Sequence, residues 1–150
     1  MELILWRHAE AEDGGDDNAR ALTRRGHKQA KLMAAWLKPR LGKDWRVYAS
    51  PAVRALQTAE ALGRELEIRE RLGTSCGADD VLAEAGWPSG GENVVVVGHQ
   101  PTLGQTIAQL LGMGEMELSV RKGAVWWLRR RDRDGLAQTV VVTVQAPELL

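Results

Sequence analysis

The succession of strand-like and helix-like segments in this chain predicts an α/β fold. The sheet is expected to be mainly parallel, with helices on both faces and an antiparallel edge strand. Three observations carry this expectation. Two apolar runs, ELILW at Glu2–Trp6 and VVVV at Val94–Val97, show no polar alternation and stop abruptly at a polar residue, as strands buried on both faces do. Stretches with helical apolar spacing lie between and after them. Near the end, two strand-like runs flank Asp132–Gly135, a hairpin signal. At 150 residues, the chain suits one domain, 1–150, with a real core.

Each element has its own signal. The strand ending at His8 leads into a polar loop, Glu10–Asn18, with five acidic residues and two glycines, which reads as solvated surface. Thr23 is a suitable N-cap for a helix whose Ala30, Met33, Ala34 and Leu37 follow the i, i+3, i+4, i+7 rhythm, closed at Pro39. A short strand, Arg46–Ala49, runs into Ser50-Pro51, read as serine cap and first-turn proline of a helix reaching about Glu65. A brief strand at Glu67–Glu70 and a short helix at Asp79–Ala85 precede the breaker cluster Trp87–Gly91. After the valine strand comes a helix at Thr102–Leu111, then Ala124–Arg130 and Thr139–Val144 as the hairpin strands.

Composition excludes several function classes. Lysine plus arginine equal aspartate plus glutamate at 20 each, a balance unlike that of a dedicated nucleic-acid binder. No apolar stretch approaches the length of about eighteen residues that a membrane helix needs. The start, MELILWRHAEAED, lacks the basic beginning and longer apolar stretch of a signal peptide. A single cysteine, Cys76, fits a reducing compartment, so a cytoplasmic protein is expected. His8, His27 and His99 show no zinc-ligand spacing, and no metal or cofactor is expected.

The chemistry concentrates at two strand ends. His8 and His99 each follow a buried strand, at the edge where open α/β sheets bind ligands. A neutral imidazole is a good nucleophile toward phosphorus, but a phosphate dianion repels an approaching electron pair unless fixed positive charge holds its oxygens. Arginine supplies that charge with a planar fork that binds two oxygens and stays protonated. Arg7 adjoins His8, and Arg54 falls in the first turn of the second helix, where the helix dipole disfavours a cation. Such a local misfit points to function. Arg7, His8, Arg54 and His99 thus form a candidate anion site for phosphoryl transfer. His27, within a helix among polar neighbours, reads as surface.

Four blocks, RHAEA (Arg7–Ala11), LTRRGHKQA (Leu22–Ala30), SPAVRALQTA (Ser50–Ala59) and VVGHQP (Val96–Pro101), resemble the histidine phosphatase superfamily, in its SixA-type phosphohistidine phosphatase branch. The resemblance implies a phosphoglycerate-mutase-like fold and no metal. It implies His8 as the nucleophile that becomes phosphorylated, with Arg7 and Arg54 binding the phosphoryl group. His99 would be the second pocket histidine, donating to a phosphoryl oxygen, and Arg20 would line the same pocket. Ala9 stands where most relatives have glycine. The segment Arg71–Asp80 lacks the glutamate that serves as general acid in ester-cleaving relatives, leaving only Asp79 or Asp80 as substitutes.

That absence favours a phosphoramidate. An alkoxide leaving group needs a positioned proton donor, whereas phosphohistidine departs as neutral imidazole once its other nitrogen is protonated. The expected partner is a phosphohistidine-bearing protein such as a histidine phosphotransfer domain. The alternatives are a broad phosphomonoesterase using Asp79 or Asp80, and a non-catalytic phosphate-binding module.

Overall fold

The computed structural model describes residues 1–150. Six strands form one sheet: β1 (Glu2–Arg7), β2 (Arg46–Ala49), β3 (Glu67–Ile68), β4 (Val94–Gly98), β5 (Val125–Arg133) and β6 (Leu136–Gln145), in the order β3-β2-β4-β1-β5-β6. The first four in that order run parallel, and the β5–β6 hairpin extends the sheet antiparallel from β1. Four helices cover it: α1 (Arg24–Leu37), α2 (Val53–Glu60), α3 (Ala78–Ala85) and α4 (Thr102–Leu110). This is the expected α/β architecture, and its antiparallel edge consists of two strands.

The sheet faces follow from the period-two alternation of side chains along a strand. Ile4, Trp6, Val95 and Val97 point to one face, where Met33, Ala34 and Leu37 of α1 and Ala55 and Ala59 of α2 pack against them. Leu3, Leu5, Val94 and Val96 point to the other, against Val81 and Ala85 of α3 and Leu103 and Ile107 of α4. Strands covered on both sides have no need of polar alternation, which is why β1 and β4 are nearly all apolar. Burial of each such side chain contributes roughly 1.5–3 kcal/mol.

Two local features hold the loop after β1 against α1. The Thr23 hydroxyl accepts the Gly26 N–H at 2.9 Å and donates to the Glu10 carboxylate at 2.9 Å. Gly26 lies so close to the Glu10 carbonyl that a Cβ would collide with it, so this helical position must be glycine.

The structure corrects three sequence expectations. The second helix begins at Val53 with Ala52 as its N-cap and ends at Glu60, so Ser50 and Pro51 lie outside it. Ser50 does accept the Ala52 N–H at 3.2 Å, but its hydroxyl also reaches His99, which fixes it as a side-chain partner of the strand ends. The hairpin strands run to Arg133 and from Leu136, because the charged stretch Arg129–Arg133 pairs fully with β6 despite its polarity. The turn is Asp134-Gly135, both with positive φ (52° and 77°), as a two-residue hairpin turn requires.

Candidate active site

Because β1 and β4 are parallel neighbours with Arg7 opposite Gly98, the chain leaves both strands on the same edge of the sheet. His8 and His99 therefore meet, with ring centroids 5.2 Å apart and planes tilted by 56°. Both are buried, at 8 % and 5 % exposure. α2 begins at the same edge and delivers Arg54, only 4 % exposed, from its first turn.

The hydrogen bonds assign the protons. Nδ1–H of His8 donates to the Ala9 carbonyl at 2.8 Å, which leaves Nε2 as the nitrogen with the free electron pair. That electron pair accepts the Arg54 Nε–H at 3.3 Å. The Ala9 N–H donates to Thr58 Oγ1 at 3.0 Å, and the Thr58 hydroxyl donates to the Arg54 carbonyl at 2.7 Å, so α2 fixes the backbone that orients the His8 ring. On the other side, His99 Nε2 lies 2.7 Å from Ser50 Oγ. Ser50 also accepts the Ala52 N–H, and its hydroxyl keeps a proton it can give to Nε2, the tautomer in which Nδ1 of His99 carries the N–H.

Arg7 donates through one terminal nitrogen to the Val120 carbonyl at 2.8 Å. Beneath it Trp6 is fully buried, its indole N–H on the Gly123 carbonyl at 3.0 Å. The Gly123 N–H in turn caps the carbonyls of Arg7 and His8, each at 3.1 Å. Two buried side-chain polar atoms in the molecule have no hydrogen-bond partner, Arg7 Nε and His99 Nδ1. Both belong to this one cluster. A buried donor without a partner costs about 1–3 kcal/mol, and oxygens of a bound anion would satisfy it.

Charge completes the picture. The cluster lines a polar pocket of about 340 Å³ that includes the cations Arg7, Arg20, Arg54 and Lys122 and the carboxylates Asp13 and Asp17. Four cations against two carboxylates leave a surplus of two positive charges, which matches a phosphoryl dianion. Burial, reinforced by the neighbouring His99 and arginines, pushes the His8 pKa down to about 3. Burial and then Arg54 push His99 down to about 4. Both rings are therefore neutral at neutral pH, and a neutral His8 keeps its electron pair.

The four residues singled out from sequence thus converge, and Arg20 joins them at the pocket wall. His27 is exposed on α1, away from this pocket. Asp79 and Asp80 do not reach it. Asp80 accepts the Gly77 N–H at the start of α3 and pairs with Arg71, and Asp79 contacts Gln109. The expectation that either could act as the acid is corrected by the fold, which commits both to α3. The acidic loop is not uniformly solvated surface either: Asp17 accepts from Arg54 and Arg20. Ser50, Thr58 and Asp17 went unrecognised in the sequence as site residues. Only the Ser50-Pro51 pair carried a signal, and helix capping explained it equally well.

The model of the histidine phosphatase superfamily (branch 1) matches residues 3–87. The chain is 34% identical over 120 residues to the phosphohistidine phosphatase SixA of Escherichia coli (strain K12), covering 73% of this chain and 74% of that protein. The chain belongs to the histidine phosphatase superfamily. Among solved structures of that fold, the protein histidine phosphatase SixA complexed with tungstate superposes with a TM-score of 0.82 at 28% identity, over 99% of both chains. A phosphoserine phosphatase mutant of Entamoeba histolytica superposes with a TM-score of 0.72 at 20% identity, over 99% of this chain and 98% of that one, a likeness of fold alone. This histidine phosphatase has no group of three or more His, Cys, Asp or Glu side chains placed to hold a metal ion, and no helix long and apolar enough to cross a membrane.

Proposed function

We propose that the protein removes the phosphoryl group from a phosphohistidine on a partner protein, through a phosphohistidine formed on its own His8. The observation that carries this reading is the pairing of a free Nε2 electron pair on His8 with two unpartnered buried nitrogens, Arg7 Nε and His99 Nδ1, in one cationic pocket. In the first step His8 Nε2 attacks phosphorus and the bond to the substrate imidazole breaks. That imidazole, protonated on its other nitrogen, departs neutral. Arg7 and Arg54 hold the phosphoryl oxygens, Arg20 supplements their charge at the pocket wall, and the His99 N–H steadies the oxygen on which charge builds. Water then attacks the phosphorus, His8 Nε2 takes back its electron pair, and the protons of the water stay with orthophosphate.

The substrate class follows from what the pocket does with its carboxylates. Asp17, bonded to Arg54 and Arg20, is held below the usual carboxylate range and has no proton to give at neutral pH. Asp17 therefore gives an ester leaving group no proton, and without a donor an ester is at a disadvantage of roughly 10²–10⁴ in rate. Imidazole does not need one. A phosphohistidine on a histidine phosphotransfer domain fits this chemistry, and a cytoplasmic location fits the single free cysteine.

A substrate panel beside His8→Ala tests the reading. Phosphohistidine protein should turn over at least about a hundred-fold faster than para-nitrophenyl phosphate or sugar phosphates, and His8→Ala should abolish it. The reverse preference would mark a phosphomonoesterase. That reading would rest on Asp13, the pocket carboxylate without an ion pair, and Asp13→Asn would then suppress ester cleavage while sparing phosphohistidine turnover.

A further inference from the structure

Asp17 lies in the acidic loop, in a short 3-10 turn at Asp17–Ala19, and its side chain is 58% exposed. It nevertheless makes the ion-pair contact of the buried Arg54. Arg54 Nη1 donates to the Asp17 carbonyl and Nη2 to Asp17 Oδ2 at 3.1 Å, so the end of the guanidinium that carries both terminal nitrogens grips this one residue. The remaining edge, made of Nε–H and the second Nη2–H, faces the other way, and its Nε–H meets His8 Nε2. The second carboxylate oxygen, Oδ1, takes Arg20 through Nε at 3.1 Å and Nη2 at 3.0 Å. Arg20 Nη1 is in turn held on the Glu12 carbonyl at 3.0 Å. One carboxylate thus divides its two oxygens between the two arginines on this side of the pocket.

We propose that Asp17 is a positioning residue of the phosphoryl site, turning the Nε/Nη2 edge of Arg54 toward His8 and locking Arg20 to the same frame. The inference rests on His8 as the nucleophile. A guanidinium can offer an anion either its end or its side, and only one of them can face His8. With the end occupied by Asp17, the side edge is left for the phosphoryl oxygens, its two N–H groups directed where the P–Nε2 bond forms. Preorganised donors of this kind act on the charge of the transition state rather than on ground-state binding, so the loss belongs in kcat. Asparagine cannot replace aspartate here. It has one acceptor oxygen for two arginines, and its amide N–H₂ would confront the other guanidinium donor to donor.

The test compares the intact protein with Asp17→Asn, Asp17→Glu and His8→Ala on a phosphohistidine protein. Single-turnover quenching follows phosphate arriving on His8. Asp17→Asn should lower kcat and the rate of His8 phosphorylation together, by about ten- to a hundred-fold, with KM within about three-fold. Asp17→Glu keeps the charge but lengthens the arm by one carbon, and should lose activity to an intermediate degree. Arg20→Gln should cost several-fold in the wild-type background and little in the Asp17→Asn background, because the residue that fixes Arg20 is already gone. Melting temperatures should stay close to that of the wild type, since Asp17 is half exposed. Asp17→Asn activity within three-fold of wild type, or a loss confined to KM, would overturn the proposal while His8→Ala remained inactive. If His8→Ala turned over phosphohistidine normally, the functional reading itself would fall instead.

Discussion

Two clefts at opposite edges of the sheet show what marks a site. The one at the carboxyl ends of β1 and β4 measures about 340 Å³, and the one near the start of β2 about 660 Å³. The larger is lined by Lys43, Arg46 and Arg64 against Asp44, Glu65, Glu67 and Glu92, a surplus of one negative charge. Its Arg46–Glu92 pair is long, 3.5 Å, and about half exposed on both sides. Charges there neutralise one another in water and leave little to offer a ligand. The smaller cleft holds buried Arg54, two desolvated imidazoles, two unpartnered nitrogens and a surplus of two positive charges. Size does not separate them. Desolvated, unbalanced charge does.

Three experiments sharpen that contrast. The largest effect is expected at Arg54: replacement by glutamine removes the buried cation facing His8 and should lower kcat by about 10²–10³-fold. A loss of less than ten-fold in steady-state turnover would make Arg54 a structural residue. The second concerns pH. His8 and His99 titrate near 3 and 4 in the folded protein against 6.5 as the ordinary value, so the unfolded chain binds protons over that interval that the native state refuses. Stability should be level above about pH 7 and fall as pH drops from 6.5 toward 4, followed by denaturant titration. His99→Asn should flatten that slope, and an unchanged slope would break the account of a desolvated pair. The smallest effect belongs to the larger cleft, where Arg46→Ala should change turnover by less than about two-fold.

The sequence made β1, β2, β4, α1 and α4 legible because each is specified locally: a largely apolar run in the strands, helical spacing in the helices, and the Thr23 cap on α1. The convergence of Arg7, His8, Arg54 and His99 was legible for a related reason, since all four stand at element ends that a parallel sheet brings to one edge. What stayed hidden depends on contacts between segments far apart in the chain. Ser50 looks like a helix cap until His99, 49 residues on, claims its hydroxyl. Asp17 looks like solvated loop until Arg54, 37 residues on, reaches it. The strand end Arg131–Arg133 lies beyond the strand expected at Ala124–Arg130, because its pattern is polar and its pairing comes from β6.

The central claim is that His8 Nε2 becomes covalently phosphorylated. Rapid acid-sparing quench of the intact protein with a ³²P-labelled phosphohistidine protein, followed by peptide mapping, tests it most directly. The account predicts acid-labile, base-stable label on the peptide containing His8, absent in His8→Ala. Label on His99 instead, or full turnover with no label on any histidine, would contradict it.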